Sequence, residues 1–200
     1  AFEIGKGIHA SMIIIPEMFN KTQITIDKIV RLIISSMIKR RIVGQKFGVV
    51  VVGEGIFHFL QDEDIASSGI TFDYDAHGHP ELSEVSKAHV ISKILKNRLK
   101  ELNLDIICRP VEVGYSLRCV DPSAFDLTYC TTLGIGVKKL YDEGHSGCMV
   151  AVNLEEEVIP VYLKDVEDEH GKIRTRLVNI DKEVVRQTLA ENIYYLTAQD

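Results

Sequence analysis

The chain is poor in cysteine, and no two of its four cysteines form a Cys-x-x-Cys pair. Cys108, Cys119, Cys130 and Cys148 therefore point to neither a zinc site nor a redox motif. Free thiols fit a reducing cytosol, so a cytoplasmic location is expected. Long apolar runs are missing too. The longest, from Met12 to Ile15 and from Phe47 to Val52, fall far short of the roughly 20 residues that span a bilayer. No signal-peptide pattern precedes them. The chain opens on Ala1-Phe2-Glu3 without a methionine, as processing or excision from a longer chain would leave it. There is no excess of positive charge: the net charge is −6, which argues against nucleic acid as a general partner. A phosphate site in such a protein must rely on local arginines rather than a global field. Gly5-Lys6-Gly7 lacks the spacing and the Ser/Thr of a Walker motif. His77 and His79 have no third or fourth ligand at matching spacing, so a surface hairpin, not a metal site, is expected around 75–80. No repeat, linker or low-complexity stretch is present.

What remains is ordinary globular usage, with 46% hydrophobic and 26% charged residues over 200 positions. That length suits one domain or one lobe of a larger enzyme. Residues 1–8 read as the end of a helix, and Ser11 to Ile15 as a short buried strand ending at Pro16-Glu17. A helix capped by Thr25 follows, with Ile26, Ile29, Val30, Ile33, Ile34, Met37 and Ile38 on one broad face. Lys39, Arg40 and Arg41 at its end suit the helix dipole and read as a solvated last turn. Phe47 to Val52, apolar and β-branched, has the signature of a central parallel strand. It ends in Gly53-Glu54-Gly55, where ligands collect in open α/β sheets, although a Glu between glycines is more often a turn carboxylate. Residues 83–101 read as an amphipathic helix with Val85, His89 or Ala88, Ile91, Leu95 and Leu99 inward, and Lys87, Lys93, Lys96 and Lys100 on a solvated basic face.

The organising stretch is Arg109 to Asp126. Val111, Val113 and Tyr115 share one face of an expected strand, Gly114 permits a bend, and Asp121-Pro122 starts a turn. Ser123, with Asp126 three residues on, forms a capping-box pattern. Arg109 and Arg118 bracket this strand, bend and helix start, a combination suited to a phosphate monoester. The same spacing equally fits two surface arginines on a connector. The helix that follows is expected to run to about Glu143 and stop at Gly144, with Phe125, Tyr129, Leu133, Val137 and Leu140 inward. Residues 147–152 and 158–163 read as two strands around a turn at Glu155-Glu156, the second at an edge because of Pro160. Residues 173–178 read as a further edge strand and 182–196 as a last helix carrying Val184, Val185, Leu189 and Ile193.

The run Val113-Gly-Tyr-Ser-Leu-Arg-Cys-Val-Asp-Pro-Ser-Ala-Phe-Asp126 resembles the sugar-phosphate segment of the phosphofructokinases, Leu-Gly-(His or Tyr)-x-Gln-Arg-Gly-Gly-x-Pro-Ser-x-Phe-Asp. Gly114, Tyr115, Arg118, Pro122, Ser123, Phe125 and Asp126 match; Leu117, Cys119-Val120 and Leu127 depart. Ala1 to Phe19 resembles the family's helix and strand ending Ile-Pro-Glu-Glu-Phe. Val50 to Gly55 resembles the strand whose Glu binds sugar hydroxyls.

The resemblance implies an α/β fold: a Rossmann-like, largely parallel sheet flanked by helices, with an extra edge hairpin. It covers residues 1–200 as the carboxyl-terminal, fructose 6-phosphate-binding portion of a 6-phosphofructokinase. It implies that Glu54 holds the sugar ring and that Arg109, Tyr115 and Arg118 grip the 6-phosphate. In an unbroken strand Tyr115 and Arg118 point to opposite faces, so convergence needs a bend after Gly114. Arg109 stands nine residues before Arg118, about 30 Å away if the chain is extended. In the family the first arginine reaches a neighbouring subunit's site, which implies a homodimer or homotetramer.

No catalytic residue is expected in this chain. The donor loop Gly-Gly-Asp, the catalytic loop Thr-Ile-Asp-Asn-Asp, the Met-Gly-Arg motif and the ligands of Mg2+ lie upstream in the family. Pyrophosphate is the expected donor, because Tyr115, the Asp75 to Leu82 insert and Arg174-x-Arg-Leu-Val-Asn-Ile-Asp181 resemble pyrophosphate-using members. ATP is the alternative, and a non-catalytic regulatory or oligomerisation lobe is a further one. Bacterial ATP-using members have an effector site near Glu17 and a lysine where Gln45 stands, so that regulation is not expected here.

Overall fold

The computed structural model describes residues 1–19, 22–61, 63–64, 86–168, 171, 177–192 and 195–200, with positions 115 and 116 described for the backbone alone. The chain divides into two compact units, Ala1–Glu112 with Leu177–Asp200, and Val113–Arg176.

The first unit begins with helix α1 (Phe2–Gly7) and strand β1 (Met12–Ile14), followed by a 3-10 turn at Pro16–Phe19. Helix α2 (Ile26–Ile42) starts where Thr25 Oγ1 accepts from Lys28 N at 3.2 Å, as its position before the apolar run predicts. Strand β2 (Val50–Val52) lies parallel to β1, with Ile13 opposite Val51. It is shorter than expected. Ser11 Oγ accepts from Val49 N at 3.2 Å while Val49 O takes both Ser11 N and Met12 N, so the regular ladder starts only at Val50. Phe47 is 81% exposed, and its carbonyl accepts from Arg40 Nε. Helix α3 (Lys87–Glu101) is capped by Ser86. Its buried face holds Val90, Ile91, Leu95 and Leu99, with His89 turned outward.

The core of this unit is Met12, Ile14 and Phe19 packed against Ile26, Ile29, Val30 and Ile33 of α2 and against the inner face of α3. The buried face of α2 is wider than periodicity predicts, because the carboxyl-terminal segment covers Ser35, whose Oγ accepts from Tyr195 N and from Leu196 N. The basic end of α2 is tethered as well as solvated. Arg41 donates to Asp105 O at 2.8 Å, and the Lys39 ammonium stands 5.2 Å from the centre of the Tyr195 ring.

The second unit begins with the single turn α4 (Tyr115–Arg118) and helix α5 (Ala124–Asp142). Ser123 and Asp126 form the complete capping box read from the sequence: Asp126 N donates to Ser123 Oγ at 3.3 Å and Ser123 N donates to Asp126 Oδ2 at 2.9 Å. The helix stops at Gly144, which takes a φ of +81°. Strands β3 (Cys148–Val152) and β4 (Val158–Tyr162) make the expected antiparallel hairpin, with Val150 opposite Pro160. A short helix α6 (Leu163–Val166) follows.

The inner stripe expected on α5 is corrected. Leu140 is buried as expected, but Phe125, Tyr129 and Val137 are exposed, and Gly136 is buried in their place. A side-chain carbon added at Gly136 would lie 2.7 Å from Val150 and 2.9 Å from Val158, so the missing side chain decides which face meets the hairpin. In the first unit the last helix, α7 (Glu183–Ala190), is shorter than expected, with Val185 buried and Val184 exposed. The hairpin expected around His77 and His79 and most of the strand expected at 173–178 fall outside the described residues, as do Val85 and Ile193. Among the described residues the result is a mixed α/β chain with one small parallel and one small antiparallel sheet. No helix among them is long and apolar enough to cross a membrane.

Candidate functional site

The carboxyl end of β2 carries the first of the residues singled out by sequence. Gly53 N donates to Ile14 O at 2.8 Å, which extends the β1–β2 ladder by one bond. Glu54 then opens a 3-10 helix, Glu54–Phe59, whose Ile56 and Phe57 are buried. The backbone of Glu54 is thus pinned between a strand end and two core anchors, while its side chain is 73% exposed.

That carboxylate is not left to solvent. Lys87 Nζ forms an ion pair with Glu54 Oε1, although the two lie 33 positions apart. Lys87 is the first residue of α3 and has only 23% of its side chain exposed. The solvated basic face expected for this helix therefore loses its first member. A lysine here opposes the helix dipole, and no acidic residue occupies the first turn of α3. Other segments supply the negative charge: Glu54 beside Lys87, and Glu112 Oε1, which accepts from Ala88 N at 3.4 Å. Sequence reasoning missed Lys87 because its partner is distant in the chain. A lysine directly after a Ser cap was the available signal.

Arg109 lies in a segment, 104–112, that forms no helix and joins no ladder among the described residues. The expected strand is corrected: Val111, Glu112 and Val113 are all exposed, and burial alternates only upstream, over 104–110. Leu104, Ile106 and Cys108 pack toward the core of the first unit, while Ile107, Arg109 and Val111 face outward. Burial pushes the Cys108 thiol pKa up, against the pull of Lys96, so this cysteine is no activated nucleophile. Val113 is exposed as well, and the bend expected after Gly114 is the turn α4, with Arg118 N donating to Gly114 O at 3.2 Å.

Arg118 closes α4 and is exposed; Tyr115 opens it, and the expectation for the Tyr115 side chain lies outside the described residues. Glu54 and Arg109 belong to the first unit, Tyr115 and Arg118 to the second. Within the second unit the capping box holds Asp126 as a carboxylate: hydrogen bonds from the Ser123 side chain and backbone lower its pKa. Glu17, near the expected effector position, uses its Oε1 to accept from Val178 N at 2.9 Å, tying the segment before α7 to the turn after β1. No cluster of three or more His, Cys, Asp or Glu side chains able to hold a metal occurs among the described residues.

No family model matches the chain. Individual relatives do. The chain is 31% identical over 192 residues to a pyrophosphate–fructose 6-phosphate 1-phosphotransferase of Naegleria fowleri, covering 92% of this chain and 44% of that protein. It is 29% identical over 191 residues to the protein of that name from Thermotoga maritima, covering 93% and 45%. A subunit beta 2 of the same name from Arabidopsis thaliana is 21% identical over 219 residues. The matched stretch is the carboxyl-terminal portion of the first two, and the chain spans less than half of their length.

Proposed function

We propose that this chain, a relative of the pyrophosphate–fructose 6-phosphate 1-phosphotransferases, supplies the sugar-phosphate side of a phosphoryl transfer. The reaction is transfer from pyrophosphate to the 1-hydroxyl of fructose 6-phosphate, giving fructose 1,6-bisphosphate. The observation that carries the reading is the match of nine-tenths of the chain to relatives whose names state both substrates. The sheet on which Glu54 stands is, in this reading, the edge of a larger Rossmann-like parallel sheet.

The residues divide the work by chemistry. Glu54, at the carboxyl end of a parallel strand, accepts hydrogen bonds from the sugar hydroxyls. Arg118 offers a planar fork of donors to the 6-phosphate, with the Tyr115 hydroxyl as a further donor. Arg109 reaches the 6-phosphate of a neighbouring protomer, so the working form is a homodimer or homotetramer in the cytoplasm. Transfer itself depends on positioning and on neutralising charge around the moving phosphoryl group. In this reading the chain supplies none of the donor site, the general base or the groups that hold Mg2+, which the resemblance to the phosphofructokinases places upstream.

The test is a coupled assay of fructose 1,6-bisphosphate formation by the complete enzyme with pyrophosphate or ATP as donor. The reading expects turnover with pyrophosphate and little with ATP. Turnover with ATP alone contradicts the donor, and absence of fructose 6-phosphate binding contradicts the site.

A further inference from the structure

The sequence resemblance singles out Glu54 but says nothing of what aims it. An exposed carboxylate on a surface turn samples several rotamers, and fixing it for a substrate costs side-chain entropy. The structure supplies a restraint from a different element. Lys87, more buried than its partner, holds Glu54 Oε1 from the first turn of α3. The lysine stem leans on the unit rather than waving in solvent, so its ammonium is a fixed reference point. Its location is otherwise unfavourable, since the positive end of a helix repels a cation. A lysine tolerated there is balanced by the carboxylates of Glu54 and Glu112 that meet the same helix end.

We infer that Lys87 is a positioning residue for sugar recognition: its ion pair with Glu54 sets the carboxylate's rotamer before the sugar arrives. This inference rests on the reading of Glu54 as the sugar-hydroxyl acceptor and deepens it. Lys87 acts through Glu54 and does not touch the phosphate donor. Its loss therefore weakens acceptor binding and leaves the donor's binding and the chemical step alone. It also makes the two residues one unit energetically, so their effects do not add.

The experiment uses the complete enzyme with Lys87→Met, Lys87→Arg, Glu54→Gln and the Lys87→Met/Glu54→Gln double variant. Steady-state kinetics are measured for both substrates, and melting temperatures are recorded beside them. Lys87→Met is expected to raise KM for fructose 6-phosphate about five- to tenfold while kcat and KM for pyrophosphate stay within about twofold. Lys87→Arg, which keeps the charge and the reach, should return KM to within about twofold of the parent. The double variant should match Glu54→Gln alone.

An unchanged KM in Lys87→Met, with Glu54→Gln impaired, overturns the role of Lys87 and leaves the reading of Glu54 standing. An unchanged KM in Glu54→Gln overturns both. Equal losses in kcat and in both KM values, or additive effects in the double variant, would show that Lys87 serves general stability instead.

Discussion

Asn192 brackets Ile13 from the far end of the chain. Its side-chain oxygen accepts from Ile13 N at 3.0 Å and its Nδ2 donates to Ile13 O at 3.1 Å, across 179 residues. The amide thus completes the hydrogen bonding of a buried strand residue as a neighbouring strand would. Asn192→Leu keeps the volume but leaves buried backbone groups short of a partner. It should lower stability by about 2–4 kcal/mol, from the cost of unsatisfied buried polar groups. Urea denaturation checks this, and a loss below about 0.5 kcal/mol would show that water replaces the amide.

Two glycines of α5 should respond in opposite directions. Gly136→Ala drives a methyl group into Val150 and Val158 and should cost about 1–3 kcal/mol. Gly134 has nothing within 4 Å of an added carbon, so Gly134→Ala should stabilise the helix by about 0.5–1 kcal/mol. Thermal melts of the two variants beside the parent decide the matter.

The capping box has a signature in acid. Hydrogen bonds from Ser123 lower the Asp126 pKa, so the folded form binds its proton less readily than the unfolded chain. The stabilising contribution is therefore complete above the ordinary carboxylate range and is lost as pH falls through the lowered value. Ser123→Ala should move the Asp126 midpoint, followed by NMR of its carboxyl carbon, up toward the ordinary value of about 3.9. A midpoint that does not move would place the cause elsewhere.

These local features are what the sequence made legible. Thr25 and Ser123 cap their helices as read because an N-cap and its partner lie three residues apart. Gly144 ends α5 as read because a left-handed residue there needs no distant partner. The failures share one cause, dependence on contacts from elsewhere in the chain. The inner face of α5 was misjudged because apolar spacing favoured Phe125 and Val137, whereas close approach of the hairpin at Gly136 sets the face. The strand expected from Val111 to Tyr115 found no ladder among the described residues, and from Tyr115 the chain turns into α4 instead, since pairing requires a neighbour that local alternation cannot guarantee. At the candidate site the motif singled out Glu54 and Arg118 by resemblance alone, whereas the Lys87–Glu54 ion pair was not legible, because it forms only when α3 meets the end of β2.

Arg109 offers a test of shared sites. If it serves a neighbouring protomer, Arg109→Ala subunits mixed with Arg118→Ala subunits should regain activity when assayed at fructose 6-phosphate well below the raised KM of either variant, where each alone turns over little. In a mixed dimer one site collects both lesions and the other carries neither, so up to one site per dimer recovers. Recovery is read by the coupled assay after subunit exchange is verified. Exchanging, well-folded mixtures that stay inactive would mean that Arg109 acts within its own chain or not at all.

The central claim, that this chain grips the 6-phosphate of the acceptor sugar, is tested most directly at Arg118. Removing one charge-assisted partner of a phosphate should cost about 1.5–3 kcal/mol, a loss of about ten- to 150-fold in affinity. In the complete enzyme, Arg118→Ala is therefore expected to raise KM for fructose 6-phosphate by that factor and to leave KM for pyrophosphate nearly unchanged. A rise in KM for pyrophosphate with fructose 6-phosphate unaffected would contradict the account and assign Arg118 to the donor.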